Sequence, residues 1–116
     1  MKKLVAVPCF NEEDNIDSCI ESLLSLKNEK IDEFDILVVN DGSKDETSKK
    51  LNQFSNLITV ISSKQNFGLS EVFNSILYFS KEENYDQLII FDSDNQYPFE
   101  DIPKLFEKII TEESDI

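Results

Sequence analysis

Short apolar runs alternate along the chain with longer segments in which apolar residues recur at every third or fourth position. The runs predict strands at Leu4–Val7, Asp35–Val39, Leu57–Ile61 and Gln87–Phe91. Each run precedes a segment that predicts a helix, at residues 11–26, from 43, from 69 and at 101–110. Strands that alternate with helices predict an α/β fold, a Rossmann-like parallel sheet with helices on both faces.

Local signals mark where the helices begin. Residues Glu12–Asp14 would lie in the first turn of the first helix, where acidic side chains are favoured. The pattern Ser43-x-x-Glu46 is a capping box, which we expect to open the second helix, with Asp45 stabilising the same N-terminus. The third helix carries an apolar stripe made of Leu69, Val72, Phe73, Ile76 and Leu77.

The composition limits the classes of function. A chain of 116 residues with 40% hydrophobic residues, two Gly and three Pro suits a single domain over 1–116. Its apolar runs are too short for a membrane span or a secretory signal, so we expect a cytoplasmic location. The net charge of −13 argues against nucleic-acid binding, which needs a basic surface.

Histidine and cysteine usage narrows the chemistry further. Because the chain has no His, zinc-hydrolase and Ser-His-Asp sites are disfavoured. The two cysteines are Cys9, expected in a loop, and Cys19, on the first predicted helix. We expect both thiols to be reduced, as is usual in a reducing compartment.

Polar residues directly follow three of the predicted strands. Asn11 and Glu12 come after the first strand, Asp41 after the second, and Asp92 and Asp94 after the fourth. Ligands of α/β folds bind at these carboxyl ends, at the point where the strand order reverses. The pair Asp92-x-Asp94 suits Mg²⁺ or Mn²⁺, which prefer oxygen ligands together with substrate phosphates. An acidic turn that caps the following element is the alternative interpretation.

The longer motifs around these residues resemble one enzyme family. They are Pro8-Cys9-Phe10-Asn11-Glu12-Glu13, Asn40-Asp41-Gly42-Ser43-x-Asp45-x-Thr47, Asn66-x-Gly68 and Asp92-x-Asp94-x-Gln96-x-Pro98. In order and spacing they resemble the family 2 glycosyltransferases, and the last motif is typical of the polyprenyl-phosphate type. The resemblance runs from Leu4 to Ile110 and covers the N-terminal, nucleotide-sugar-binding half of a GT-A fold. Asn40 stands where the family often has Asp, and Phe99 stands where a second Pro is usual.

The resemblance implies both a topology and a set of site residues. The implied strand order is 3-2-1-4, which would bring the polar loops to one crevice. The residues implied to contact the nucleotide-sugar are Pro8, Asn11, Glu12, Asp41, Asn66, Gly68 and Asp92. Those implied to bind Mg²⁺ or Mn²⁺ are Asp92, Asp94 and Gln96.

The implied reaction is an inverting transfer of sugar from a UDP- or GDP-sugar to an acceptor. The family carries its general base in the half that would follow Ile116. We therefore expect this chain alone to bind the donor but to be inactive or nearly so. Without the acceptor half, one edge of the sheet would be exposed. We therefore expect self-association or a partner that supplies that half. An acceptor of the polyprenyl-phosphate type implies that the protein acts at the inner membrane face.

Alternative interpretations remain open at this stage. A non-catalytic binding or scaffold module could keep the same fold without using a metal. A receiver domain would need a phosphoacceptor Asp after the third strand, where this chain has Ile61-Ser62-Ser63. Locally, Asn11 could simply cap a helix, Asp41 could tolerate a bend, and Asn66–Gly68 could be a helix-start turn.

Overall fold

Strands and helices alternate as the sequence predicts. The computed structural model describes residues 2–28 and 33–91. Within these ranges the strands are β1 (Lys3–Cys9), β2 (Asp35–Asp41), β3 (Thr59–Ser63) and β4 (Gln87–Ile90). The helices are α1 (Ile16–Asn28), α2 (Thr47–Leu51) and α3 (Leu69–Glu82), and a 3-10 turn at Asn52–Phe54 extends α2. The helix predicted at 101–110 lies outside the described residues.

The described strands form a parallel sheet in the order β3-β2-β1-β4. This order confirms the expected 3-2-1-4 topology. β1 pairs with β2 on one side, where Val7 lies opposite Val38, and with β4 on the other, where Ala6 lies opposite Ile90. The order reverses at β1, because the chain runs outward to β3 and then returns to β4. The switch point therefore lies between β1 and β4, and the carboxyl ends of β1 and β2 meet beside it.

Helices cover both faces of the sheet, as predicted. Successive strand residues point to opposite faces, so β1 and β2 contribute to a separate apolar core on each side. The larger core joins the sheet to α1 and α2 through Val5, Val7, Ile36, Val38, Ile16, Ile20, Leu23 and Leu51. The smaller core joins it to α3 through Leu4, Ala6, Leu37, Val39, Val72 and Ile76. Burial on both faces explains why β1 is a continuous apolar run and not an alternating one.

Helix α1 begins later than the sequence pattern predicts. The helix was expected from Asn11, but it starts at Ile16. Asn11 has a positive φ of 52°, a left-handed conformation that interrupts a right-handed helix. Residues 12–15 instead form a turn in which the Ile16 N–H binds the Glu12 carbonyl at 2.8 Å. No helix among the described residues is long and apolar enough to cross a membrane.

The predicted capping box is wrong. Helix α2 starts at Thr47, and neither Ser43 nor Glu46 provides a side-chain cap. The Ser43 hydroxyl accepts the Asn11 N–H at 3.0 Å, so it serves another loop. Asp45 does stabilise this N-terminus as expected, since its Oδ1 accepts the Thr47 N–H at 3.0 Å.

Several strand boundaries also move by one or two residues. β3 spans Thr59–Ser63 and not Leu57–Ile61, because the Leu57 and Ile58 N–H groups turn back to the Phe54 carbonyl. Cys9 is the last residue of β1 and not part of the following loop. β4 ends at Ile90, although the Phe91 N–H still bonds the Ala6 carbonyl at 2.8 Å.

Candidate functional site

A cleft opens over the carboxyl ends of β1 and β2, beside the switch point of the sheet. Its volume is about 360 Å³. The residues lining it are Pro8, Cys9, Phe10, Glu12, Asp41, Asn66, Gly68, Leu69 and Val72. Pro8, Glu12, Asp41, Asn66 and Gly68 were all predicted from sequence as nucleotide-sugar contacts. The tertiary structure thus brings together residues that lie 60 positions apart between Pro8 and Gly68.

The remaining predicted site residues fall into two groups. Asn11 does not line the cleft, because its Oδ1 accepts the Lys44 N–H at 2.8 Å and fixes a neighbouring loop. The Asn11 side chain therefore does not cap α1 and does not line the cleft. Asp92, Asp94 and Gln96 lie beyond Phe91, outside the part of the chain that the structure describes.

Asp41 holds the loop that leads into α3. Its Oδ1 accepts the Phe67 N–H at 2.9 Å, and its Oδ2 accepts the Gly68 N–H at 3.0 Å. The Asn66 side-chain amide donates to the Asp41 carbonyl at 3.4 Å. The side chain is only 5% exposed. Asp41 thus shapes the cleft wall, a role that its position after a strand did not reveal.

Gly42 allows this loop to approach. Its φ is +70°, and a Cβ at this position would lie 2.3 Å from the carbonyl carbon of Gln65. Any side chain at residue 42 would push the loop away from the end of β2. The sequence Asp41-Gly42 therefore combines an anchor for the loop with the space that the loop needs.

The loops after β1 and β2 are bound to each other by reciprocal hydrogen bonds. The Glu12 N–H donates to the Thr47 hydroxyl at 2.9 Å, and the Glu13 N–H donates to Asp45 Oδ2 at 3.3 Å. Thr47 is fully buried and donates its own hydroxyl to Asp45. This network fixes the direction in which Glu12 enters the cleft. Its sequence signal is the spacing of the hydroxyl and carboxylate side chains in Ser43-x-Asp45-x-Thr47.

This network stabilises the ionised form of the Asp45 carboxyl. Burial alone would raise the pKa of its carboxyl, but hydrogen bonds from Thr47 and from the Glu13 backbone outweigh burial and lower the pKa. The resulting negative charge accepts hydrogen bonds from both loops, and charge-assisted bonds are the stronger kind.

Cys9 lines the cleft but is a poor nucleophile. Burial, together with the nearby Glu12 and Asp45 carboxylates, raises the pKa of its thiol to about 12. The pKa of Cys19 is raised to about 12 by burial and by Glu12. Both thiols are free and buried. Because the thiolate is the reactive form, neither cysteine can act as a nucleophile near pH 7.

The side chains that line the cleft are suited to binding a ligand and not to cleaving a bond. Glu12 and Asp41 place carboxylate oxygens at the cleft, where they can accept hydrogen bonds from a base or from ribose hydroxyls. Phe10, Leu69 and Val72 supply apolar surface to the cleft. The described ranges contain no cluster of three or more potential metal ligands. The predicted metal ligands are nevertheless chemically suitable, since two carboxylates and an amide oxygen are hard donors of the kind that Mg²⁺ and Mn²⁺ prefer.

Comparison with known proteins gives one family. Residues 4–116 match the model of glycosyl transferase family 2. A dolichol-phosphate mannosyltransferase from Pyrococcus furiosus is 34% identical over 114 residues, which are 94% of this chain and 30% of that protein.

Solved structures share the fold. S. aureus TarS 1-349 in complex with UDP-GlcNAc has a TM-score of 0.70 and 28% identity over 97% of this chain and 32% of its own. Glucosyl-3-phosphoglycerate synthase from Mycobacterium tuberculosis, in complex with Mn²⁺, UDP and glucosyl-3-phosphoglycerate, has a TM-score of 0.60 and 25% identity. It is covered for 33% of its length, by 79% of this chain. The chain thus spans about a third of these three proteins.

Proposed function

Because this chain belongs to glycosyl transferase family 2, we propose that it is the donor-binding part of a metal-dependent, inverting glycosyltransferase. The observation that carries the proposal is the convergence of Pro8, Glu12, Asp41, Asn66 and Gly68 on one cleft. The cleft lies at the carboxyl ends of β1 and β2, beside the switch point, and α/β folds bind nucleotides at this edge of the sheet. Structural relatives in complex with UDP-GlcNAc, and with UDP and Mn²⁺, support a nucleotide-sugar as the ligand.

The described residues bind and orient the donor. Asp41 and Glu12 offer acceptors to the nucleoside, and the Asp45–Thr47 network holds the loop that carries Glu12. Fixing the donor in one orientation lowers the entropy cost of reaching the transition state. Asn66 and Gly68 form the opposite wall, which Asp41 keeps in place.

Asp94, with Asp92 and Gln96, would hold Mg²⁺ or Mn²⁺. The ion, when bound, offsets the negative charge of the departing nucleoside diphosphate. Neutralisation by a cation is needed because the chain carries a net charge of −13, which repels a negatively charged diphosphate. Asp92 also lies near the ribose in this proposal.

In the proposed reaction an acceptor oxygen attacks the anomeric carbon, the bond to the diphosphate breaks, and the configuration inverts. A general base takes the acceptor proton as the new bond forms. The described residues are assigned to donor binding and not to this step, so we expect them to bind the donor without turning it over. The resemblance to a dolichol-phosphate enzyme favours a polyprenyl-phosphate acceptor at the cytoplasmic face of the inner membrane.

Calorimetric titration of UDP and GDP, with and without Mn²⁺, tests this proposal. We expect one nucleotide to bind only with the metal, and Asp94→Ala to abolish that binding. Glu21→Ala is the matched control, since Glu21 is exposed on α1 and its removal changes the net charge equally. Equal nucleotide affinity with and without Mn²⁺, or unchanged affinity in Asp94→Ala, would contradict the metal site. Failure of both nucleotides to bind would favour a scaffold module over a donor-binding unit.

A further inference from the structure

The hydrogen-bonding capacity of the Asp41 carboxylate is almost fully used. A carboxylate offers about four lone-pair positions, two on each oxygen. Oδ1 accepts the Phe67 N–H at 2.9 Å and has the Ser63 Oγ at 3.3 Å. Oδ2 accepts the Gly68 N–H at 3.0 Å. Among the residues that the structure describes, one position on Oδ2 is therefore left to accept a hydrogen bond from a ligand.

The strand register keeps Ser63 beside Oδ1. Asp41 and Ser63 are direct partners across the β2–β3 ladder, so backbone pairing sets their separation. The Ser63 hydroxyl also lies 3.0 Å from the Gln65 carbonyl, and its single proton is shared between the two acceptors. Whichever acceptor takes the proton, the hydroxyl occupies the second position on Oδ1.

Asp41 lies between two cavities and lines both. Gly68, which bonds Oδ2, lines the nucleotide cleft with it. Ser63 and Phe67, the partners of Oδ1, line the second cavity of about 280 Å³ between β3 and α3. A base that reaches Asp41 through the cleft therefore meets a carboxylate whose Oδ1 already has two partners.

Nucleobases differ in how many donors they present to a carboxylate. Uracil has one ring N–H, flanked by two carbonyl oxygens. Guanine has a ring N–H and an amino group side by side, which pair with both oxygens of a carboxylate at once. A guanine here would direct one donor at Oδ1, where Phe67 and Ser63 already lie. A buried donor left without an acceptor is strongly unfavourable.

We propose that Asp41, with one acceptor position left by Phe67, Gly68 and Ser63, selects uridine over guanosine in the donor. The inference rests on the proposed function, because it assumes that the base of a nucleotide-sugar reaches Asp41. It goes further by naming the donor as a UDP-sugar. Ser63 becomes a specificity-determining residue that acts through Asp41 without touching the ligand.

The first test compares ligands on the unaltered chain. With Mn²⁺ present, calorimetry should show UDP binding about tenfold or more tightly than GDP, since a hydrogen bond to a charged group is lost. 3-Methyluridine diphosphate lacks the ring N–H and should also bind about tenfold more weakly than UDP. Equal affinity of UDP and its 3-methyl form would show that the base does not donate to Asp41, and would overturn the inference.

The second test removes the hydroxyl that occupies the second acceptor position on Asp41 Oδ1. Ser63→Ala removes the hydroxyl beside Oδ1, so the ratio of GDP to UDP dissociation constants should fall severalfold, mainly through tighter GDP binding. Ser62→Ala is the matched control, because Ser62 is exposed on the same strand and its side chain points to the opposite face. An unchanged ratio in Ser63→Ala would contradict the role of the hydroxyl.

The outcomes separate the two proposals. Metal-dependent binding of GDP as tight as that of UDP, or tighter, would overturn uridine selection and leave a donor-binding function standing. If neither nucleotide binds, both proposals fail.

Discussion

Asp41 and Gly42 fix the loop before α3 by different physical means. Asp41 accepts hydrogen bonds from the Phe67 and Gly68 N–H groups. Gly42 has no side chain, and this leaves room for the loop to pass close to it. Sequence patterns identified Asp41 as a ligand contact and Gly42 as a turn residue. Their joint effect on a loop more than 20 positions later depends on a close approach that no local pattern encodes.

Gly42→Ala tests the close approach. The new Cβ would meet the Gln65 backbone at 2.3 Å while residue 42 keeps a φ of +70°. We expect the free energy of unfolding to fall by about 2 kcal/mol or more, from left-handed strain together with overpacking. Chemical denaturation would measure the loss, and hydrogen exchange should show faster exchange at the Phe67 and Gly68 amides.

Asn84→Ala is the control for strain alone. Asn84 has a comparable φ of 59° and already carries a Cβ, so alanine adds no new contact. We expect a loss of about 1 kcal/mol or less. Equal losses in the two variants would show that the loop does not depend on the space at Gly42.

Helix α3 shows how far an apolar stripe predicts burial. All five apolar positions from Leu69 to Leu77 fit one helical stripe, yet only Val72 and Ile76 are buried against the sheet. Leu69, Phe73 and Leu77 form an adjacent row that is exposed in the described structure. Periodicity identifies which side of a helix is apolar, but the position of the helix over the sheet decides which row is covered.

Alanine substitutions at neighbouring positions of α3 should separate these rows. Ile76 is fully buried, and Ile76→Ala should lower the free energy of unfolding by about 2–5 kcal/mol, through lost burial and a cavity. Leu77 is 55% exposed, and Leu77→Ala should change it by about 1 kcal/mol or less. Urea denaturation of both variants measures the difference. Similar losses would mean that the Leu77 row is covered as completely as the Ile76 row.

At the scale of the whole molecule, two cores on opposite faces of the sheet make the interior inaccessible to reagents. Cys9 lies at the end of a central strand and Cys19 lies on α1, and both belong to the larger core. Each thiol is less than 5% exposed, with a pKa raised to about 12. Their reactivity therefore reports whether the β1, β2 and α1 layers remain assembled.

We expect a thiol reagent at pH 8 to label both cysteines at least about a hundredfold more slowly in the folded chain than in denaturant. Burial limits access, and the raised pKa values keep the thiols protonated. Labelling followed by mass spectrometry measures the rates. Cys9→Ala and Cys19→Ala, each with one thiol left, assign any fast component. Fast labelling of Cys9 alone would show that the cleft side of the core is open.

The sequence alone determined the order of strands and helices, the parallel α/β class and the places of Glu12 and Asp41 after the first two strands. These features follow from local periodicity and from the rule that polar residues at strand ends face a binding site. The resemblance in motif order then supplied the strand order that the sheet confirms. Asp92, Asp94 and Gln96 remain sequence predictions, since they lie outside the described residues.

Only the tertiary structure decided how the loops use their polar groups. Ser43 was predicted to cap a helix, and Asn11 to contact the ligand or to cap a helix, but each bonds to the other's loop, more than 30 positions away in sequence. Asp41 was assigned to a ligand, yet most of its acceptor capacity is taken by backbone N–H groups and a hydroxyl from the β3–α3 region. A carboxylate bonds whichever donor the fold brings near, and the sequence around it does not record which strand will be its neighbour. The choice between a structural and a ligand-binding role was therefore made by the packing of distant segments.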